Sequence, residues 1–212
     1  MSTNSEKLNN TVTVYIATFA DDVVVKKVAP TLRNDYLERY SDRLTQQQSY
    51  CVWMLLDCAL RDCYGYGVEQ LDCTVSDNGK WSCSNGVFFS LSHCNNVVAV
   101  ALSSNAVGVD IEAVVNFRRY IDDKCFVQRV LTDSEQLKLH SAPVDKAESL
   151  ATMWTQKESI FKMGNSATFV PKSIDTTTQT SYSQLVTVNG EQYVLSVASY
   201  VPVTIQLKQA DI

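Results

Sequence analysis

The stretch Gly108-Val109-Asp110-Ile111-Glu112 alternates apolar residues with acids. Neighbouring side chains of a β-strand point to opposite faces, so the alternation predicts a strand. Its apolar face is predicted to meet a core through Val107, Val109 and Ile111. Asp110 and Glu112 then share the other face, two residues apart. A solvent-facing strand edge would also carry paired acids, so this stretch alone leaves a metal site open.

A second stretch, Trp154-Thr155-Gln156-Lys157-Glu158-Ser159-Ile160-Phe161-Lys162, is predicted to be a helix. Trp154, Glu158 and Lys162 stand at i, i+4 and i+8, so they share one stripe. Taken alone, Glu158 and Lys162 indicate an ordinary surface ion pair. Together with the two strand acids they favour a site for Mg²⁺ and a phosphate. Hard divalent cations prefer carboxylate oxygens, and substrate phosphates commonly complete their coordination shell.

These two segments resemble the signature of the 4′-phosphopantetheinyl transferases, G-[IV]-D-[IVL]-E followed by W-x-x-K-E-[SA]-x-x-K. A third family element, F-N-x-S-H-S, is similar to Phe89-Ser90-Leu91-Ser92-His93-Cys94, in which Ser90 and Cys94 depart from the pattern. A weaker G-K-P element is similar to Gly79-Lys80-Trp81. All four occur in the order found in the family, and the chain most resembles its surfactin-synthetase-activating (Sfp) type.

The resemblance implies an α+β fold, built as a pseudo-twofold pair of similar α+β halves with the active site between them. Residues 1–104 would form the half that contacts the coenzyme A phosphates. Residues 105–212 would carry the Mg²⁺-binding acids and the catalytic helix. The join would fall at the short polar connection 103–106, and the predicted order of elements is compatible with this division.

The resemblance further implies transfer of 4′-phosphopantetheine from coenzyme A to a serine of an acyl or peptidyl carrier protein, with release of 3′,5′-ADP. Asp110, Glu112 and Glu158 would hold Mg²⁺. Glu158, directly or through a water, would accept the serine proton. Lys162 would bind the phosphates and stabilise the leaving group. Lys157 matches the motif as well, and its stem could equally pack in the protein while its ammonium pairs with a surface acid.

Other matching residues are expected to contact coenzyme A. Ser92 and His93 match a pair that contacts a coenzyme A phosphate, although a histidine standing alone is more often structural. Lys80 matches the lysine along the coenzyme A pocket. Arg33, Arg39 and Arg43 lie where the family places basic residues for the nucleotide 3′-phosphate; Arg43 is the preferred candidate, and an exposed helix face is the alternative for each.

Four basic residues follow the acidic strand: Arg118, Arg119, Lys124 and Arg129. A charge cluster is usually a solvated face. In a protein that acts on acidic carrier proteins, a local basic surface would instead steer the partner.

Composition limits the alternatives. The 212 residues are 45% hydrophobic and 19% charged, which is typical of a globular protein. The net charge of −5 argues against a general nucleic-acid-binding surface. Seven cysteines without a C-x-x-C pair, and only two histidines, disfavour structural zinc and predict reduced thiols in the cytoplasm. The polar start argues against a signal segment, and the lack of a long apolar run argues against a membrane span. A monomer is expected.

Two other functions are alternatives to a transferase: a nuclease and a carrier-binding module. A nuclease with a D…E-x-K core needs a lysine two residues after the strand acid, and Val114 stands there. A carrier-binding module that has lost catalysis would not need the acids and Lys162. A coenzyme A transfer assay separates all three possibilities.

Periodicity and turn signals predict the remaining elements. Strands are expected at 11–18, 71–75, 87–91, 97–102, 107–111, 185–188, 193–198 and 203–207. Helices are expected at 32–62, 119–130, 133–140 and 147–163. Turns are expected at 77–79 and 95–96, and 189–190 is a strong hairpin signal.

Overall fold

The structure of the chain, a computed structural model, describes residues 10–26, 38, 41–75, 81–83, 86–143, 145–164, 166–179 and 181–212. Over these residues the fold is mixed α+β. The chain divides into two compact units, the first being Met1–Val107 with Val201–Ile212 and the second Gly108–Tyr200. In the described part of the chain, no helix is both long and apolar enough to cross a membrane.

The elements follow one another in chain order. The strands are β1 Thr11–Thr18, β2 Cys73–Val75, β3 Trp81–Cys83, β4 Phe88–Cys94, β5 Val97–Ser103, β6 Val107–Ala113, β7 Ser181–Val188, β8 Glu191–Ser199 and β9 Thr204–Gln209. The helices are α1 Arg43–Tyr64, α2 Val114–Phe117, α3 Lys124–Val130, α4 Asp133–His140 and α5 Lys146–Met163. Short 3₁₀ turns occupy Val68–Gln70, Arg118–Tyr120 and Pro171–Ser173.

The predicted bounds of β1 and α4 are confirmed, and the single helix predicted over 119–130 is wrong. That segment is a 3₁₀ turn followed by α3. Asp123 causes the break, because its side chain accepts a hydrogen bond from the Phe126 amide at 3.0 Å and starts a new helix as its N-cap. The start of the helix predicted over 32–62 and the turn predicted at 77–79 lie largely or wholly outside the described residues.

A four-stranded sheet of order β4-β5-β1-β9 forms the first unit together with α1. Alternate residues of β5 share a buried cluster with the apolar face of α1, including Val100 and Leu56. The helix ends at Gly65, whose positive φ of 75° favours glycine and whose amide donates to the Arg61 carbonyl at 3.1 Å. The observed end of this helix at Tyr64 lies two residues beyond the predicted end at residue 62.

The last strand, β9, pairs in parallel with β1 in the first unit. A polar cluster also connects β9 to β1 and α1: the ammonium of Lys208 lies 2.6 Å from Oδ2 of Asp62 and 3.1 Å from the Tyr15 hydroxyl. The Tyr15 hydroxyl also donates to Asp62, and burial together with this contact raises the pKa of Tyr15. The division into functional halves at 1–104 and 105–212 stays a prediction.

One cysteine pair departs from the expectation of reduced thiols. Cys73 on β2 stands directly opposite Cys83 on β3, with their Cα atoms 4.3 Å apart, and the two form a disulfide. Facing positions of an antiparallel ladder bring β-carbons within bridging distance. The sequence does not show that these two short strands pair, so the contact could not be foreseen.

The second unit contains a three-stranded sheet of order β6-β8-β7. Asn189 and Gly190 both have positive φ, 51° and 82°, at the turn between β7 and β8. This is the backbone of a type I′ hairpin, and the predicted hairpin is confirmed. The helix α5 belongs to the same unit, where a hydrogen bond of 2.7 Å joins Oγ1 of Thr155 to Oγ of Ser196 on β8.

Candidate active site

The strand β6 is buried on both faces. Val107, Val109 and Ile111 are buried as predicted, and Asp110 on the opposite face is only 4% exposed. Glu112, two residues further along, is half-buried. A carboxylate this deeply buried needs charged or hydrogen-bonding partners, so Asp110 is not an ordinary solvent-facing strand acid.

Gly108 allows α5 to approach β6 closely. A Cβ atom at this position would lie 1.8 Å from the carbonyl oxygen of Ser159 and 2.6 Å from the backbone nitrogen of Met163. Both atoms belong to the helix backbone, which cannot rotate away as a side chain would. The glycine of the strand motif therefore has a packing role: it brings the last two turns of α5 against the strand.

Two residues of the predicted stripe of α5, Glu158 and Lys162, lie near Asp110. Trp154, Glu158 and Lys162 are each half-buried. The ammonium of Lys162 lies 2.7 Å from Oδ1 of Asp110, and the Lys162 side chain is 26% exposed. The lysine of the helix motif and the first acid of the strand motif, which stand far apart in sequence, thus form an ion pair.

Glu158 lies close enough to Asp110 for the charge of that carboxylate to act on it. Burial, and after it the negative charge of Asp110, raise the pKa of Glu158 to about 7, against the opposing effect of the Lys162 ammonium. Across the described residues, no three His, Cys, Asp or Glu side chains are gathered closely enough to hold a metal ion. Asp110, Glu112 and Glu158 therefore do not form a three-acid cluster in the structure, although the sequence predicts that all three converge.

Lys157, beside Glu158, points into the protein instead. Its ammonium is 2.7 Å from Oε2 of Glu135 on α4, and both side chains are fully buried. Burial by itself would raise the pKa of Glu135, but hydrogen bonds from Lys157 and from the Thr176 and Thr132 amides hold it below its ordinary value. The interpretation of Lys157 as a packed stem with an ionic partner is confirmed, but the partner is a buried acid rather than a surface one.

Sequence reasoning missed this buried pair. The Thr132-Asp133-Ser134-Glu135 segment indicates a helix start, and the structure confirms its capping box. Nothing in the spacing shows that Glu135 also meets Lys157. One signal was available: Lys157 stands next to the stripe of Trp154, Glu158 and Lys162 and not within it, so it faces a different direction.

Aromatic rings pack around Trp154. Phe117 and Phe126 have ring centroids 6.3 and 6.0 Å from the Trp154 ring. Phe169 meets it edge-on at 5.7 Å and also contacts Phe161 at 5.1 Å. The tryptophan of the helix motif therefore anchors α5 to the segments before and after it.

In the first unit, the segment similar to F-N-x-S-H-S lies within β4 and is followed by a turn. Ser92 is 4% exposed, whereas His93 on the opposite face is exposed. The amide of Gln48 holds the following turn by donating to the Asn95 carbonyl at 2.9 Å. Asn95 has a positive φ of 51°, which agrees with the predicted turn. Only the histidine of the pair presents its side chain to solvent.

The other predicted phosphate contacts are basic. Arg43 is exposed and is the first residue of α1, immediately after the N-cap Asp42, whose pKa is lowered by hydrogen bonds from Thr45. Lys80, Arg33 and Arg39 lie outside the described residues, so their predicted roles stay predictions.

The four basic residues after β6 are all exposed, and all belong to the second unit: Arg118, Arg119, Lys124 and Arg129. The guanidinium of Arg119 stacks over the Tyr120 ring, 4.6 Å from its centroid. Arg118 reaches Asp145 only at 4.0 Å, a weak exposed contact. Their charge is therefore largely available to a partner.

Residues 106–204 match the 4′-phosphopantetheinyl transferase superfamily. No curated protein matches the chain. The match to the transferase superfamily covers rather less than half of the chain, but it includes the whole second unit, and with it Asp110, Glu158 and Lys162.

The superfamily match connects the charged residues of the second unit with a known type of reaction. Transferases of this superfamily take phosphopantetheine from coenzyme A and attach it to carrier proteins. The Asp110–Lys162 pair and the neighbouring Glu158 are the charged groups that the structure gathers within the matched region. The residues predicted to bind coenzyme A in the first unit lie outside the match.

Proposed function

We propose that the protein is a 4′-phosphopantetheinyl transferase of the surfactin-synthetase-activating type. It moves 4′-phosphopantetheine from coenzyme A to a serine of an apo acyl or peptidyl carrier protein and releases 3′,5′-ADP. One observation carries this proposal: the motif residues Asp110, Glu158 and Lys162 come together on β6 and α5 inside the region that matches the superfamily.

The residues present fit Mg²⁺ by the chemistry of their donors. Asp110 and Glu158 supply carboxylate oxygens, and Glu112 stands on the same face of β6 as Asp110. A positive group, the Lys162 ammonium, already contacts Asp110. The structure does not gather the three acids into one cluster, so the fit rests on the type of donor. When bound, Mg²⁺ would neutralise charge on the pyrophosphate of coenzyme A.

The protein groups then have distinct roles. Glu158, whose pKa lies near neutral, is suited to accept the proton of the carrier serine directly or through a water. Lys162 is suited to bind the phosphates and to stabilise the departing 3′,5′-ADP, because an ammonium offers three hydrogen-bond donors and a full charge. Asp110 holds the Lys162 ammonium beside β6 at 2.7 Å, which keeps both groups next to Glu158.

In the first unit, we propose that His93, Ser92, Arg43 and Lys80 bind the phosphates of coenzyme A. The exposed His93 offers a direct side-chain contact, and Arg43 offers a charge at the start of α1. His93→Ala is expected to weaken 3′,5′-ADP binding by about 1.5–3 kcal/mol, because a charged hydrogen bond is lost. Isothermal calorimetry measures this change. His140→Ala, at the exposed histidine of α4, is the control, and an unchanged affinity for His93→Ala returns that residue to a structural role.

We propose that the exposed basic residues of the second unit receive an acidic carrier protein. Reversing two of them, Arg119→Glu with Lys124→Glu, is expected to raise KM for the carrier while leaving KM for coenzyme A nearly unchanged. The effect should shrink with added salt, because exposed charges are screened over roughly 8–10 Å near physiological ionic strength. Rim charges act mainly on the association rate.

A charge-matched control is available in the same unit. Lys138→Glu with Lys172→Glu changes the net charge equally at two other exposed positions. Equal carrier KM values for the two double variants at low salt would show that the proposed surface is an ordinary solvated face.

The proposed function is tested by incubating the protein with coenzyme A, Mg²⁺ and a panel of apo carrier proteins. The expected products are a carrier heavier by one phosphopantetheine group and an equal amount of 3′,5′-ADP, followed by mass spectrometry and chromatography. Binding of carriers without any transfer would instead support the module that has lost catalysis.

A further inference from the structure

The buried pair of Glu135 and Lys157 is the centre of a closed hydrogen-bond network. The ammonium of Lys157 donates to Oε2 of Glu135 at 2.7 Å, to the Pro171 carbonyl at 3.0 Å and to the Ile174 carbonyl. A lysine has three donors, and all three are used. Lys157 therefore has no donor left for a substrate phosphate.

Glu135 is satisfied just as fully. Its Oε1 accepts from the amide and the hydroxyl of Thr176 at 2.9 and 2.7 Å. Its Oε2 accepts from the Thr132 amide at 2.8 Å as well as from Lys157. A carboxylate has about four acceptor sites, and four donors occupy them. The network is complete without water or ligand.

The network ties three segments together next to Glu158. Thr132 and Glu135 begin α4, Lys157 belongs to α5, and residues 171–176 follow α5 in the chain. Phe169, just before this last segment, packs on Trp154 and Phe161 of α5. The segment is thus held to α5 by the ring contacts of Phe169 and by the hydrogen bonds from Lys157 to the Pro171 and Ile174 carbonyls.

The ion pair between Lys157 and Glu135 restricts where the Lys157 ammonium can lie. Apolar side chains of similar volume commonly replace a buried ion pair without loss of stability, so stability alone does not explain its presence. The Lys157 ammonium binds three oxygens, of Glu135, Pro171 and Ile174, and it can reach all three from one position only. Because Lys157 and Glu158 are consecutive on a rigid helix, the rotation that satisfies Lys157 also sets where the Glu158 carboxylate points.

We propose that Lys157 and Glu135 are positioning residues that fix the rotation of α5, and through it the orientation of Glu158 toward Asp110. This inference rests on the proposed function and extends it to residues outside the reacting groups. It predicts that weakening the network lowers kcat more than KM, because substrate contacts remain while Glu158 is misplaced.

The test compares each network variant with a matched control. Lys157→Met is paired with Leu139→Ala, which also truncates a buried side chain but an apolar one that forms none of the hydrogen bonds of the network. Thr176→Val is paired with Thr187→Val, at an exposed threonine of β7. Thr176→Val keeps the size of the side chain and removes one hydroxyl contact with Glu135, so it is the mild variant that remains available if Lys157→Met does not fold.

Transfer kinetics are measured at a temperature at which circular dichroism shows every compared variant to be folded. For Lys157→Met, kcat is expected to fall at least ~10-fold with KM changed less than ~3-fold, and for Thr176→Val a smaller fall in kcat is expected. Mn²⁺ titration by calorimetry in the presence of coenzyme A gives a readout besides activity, and both variants should bind Mn²⁺ more weakly. The controls should match the parent in kcat and Mn²⁺ affinity.

Two failures are distinguishable. If the parent transfers no phosphopantetheine to any carrier, the proposed function is wrong. If the parent is active but the network variants keep the kcat and Mn²⁺ affinity of their matched controls, the pair only stabilises the fold and the positioning inference is wrong.

Discussion

Asp110→Asn is expected to lower kcat for phosphopantetheine transfer at least ~100-fold, the scale expected when charge stabilisation of a transition state is lost. The substitution keeps the shape of the side chain but removes the charge that faces Lys162 and Glu158. Without that charge, the Lys162 ammonium loses its partner at 2.7 Å, and a divalent cation loses a carboxylate ligand. Steady-state kinetics with saturating coenzyme A measure the change.

The control for this prediction is Asp133→Asn, at an exposed aspartate of α4 in the same unit. It removes one negative charge from the unit without touching β6 and should leave kcat within ~2-fold, as is usual for exposed positions. A kcat for Asp110→Asn that is close to the parent value would contradict the role assigned to the strand acid.

Lys157→Met is expected to lower the free energy of unfolding by about 3–5 kcal/mol, the scale for removing one partner of a buried ion pair. The Glu135 carboxylate then stays buried without its ammonium, and the carbonyls of Pro171 and Ile174 lose their donor. Urea denaturation followed by circular dichroism measures the change. The large cost arises because a buried charge without a partner is poorly solvated.

Lys208→Met is the informative comparison for stability, since Lys208 also forms an ion pair, with Asp62, and both side chains are partly exposed. Its loss should cost much less, because water can reach the group that remains. If Lys157→Met unfolds at the same urea concentration as the parent, the buried pair does not contribute to stability and the described network is wrong.

In the second unit the sequence predicts β6, α5 and the hairpin between β7 and β8 well because their signals are local, whereas the single helix predicted over 119–130 is wrong. The alternation of Val107, Asp110 and their neighbours indicates a buried strand, and the stripe of Trp154, Glu158 and Lys162 indicates a helix with one chemically distinct face. Asn189-Gly190 specifies a hairpin because few other dipeptides adopt that backbone readily. Each of these features depends on residues only a few positions apart.

Contacts between distant residues could not be predicted in the same way. Lys157 and Glu135 meet only because two helices pack together, and the pairing of β9 with β1 joins the two ends of the first unit. The Cys73–Cys83 disulfide depends on the register of two very short strands. The residue pattern and the resemblance to a family placed Asp110, Glu158 and Lys162 in one site, but they assigned Lys162 to the phosphates and did not predict its ion pair with Asp110.

The most direct test of the proposed function is the intact mass of an apo carrier protein after incubation with coenzyme A and Mg²⁺, with fragmentation to locate any added group. The account predicts that one phosphopantetheine group is added to a single serine, that EDTA prevents the addition, and that Asp110→Asn slows it strongly. A carrier panel that stays entirely unmodified by the folded parent protein, or modification that proceeds equally in EDTA and with Asp110→Asn, would contradict it.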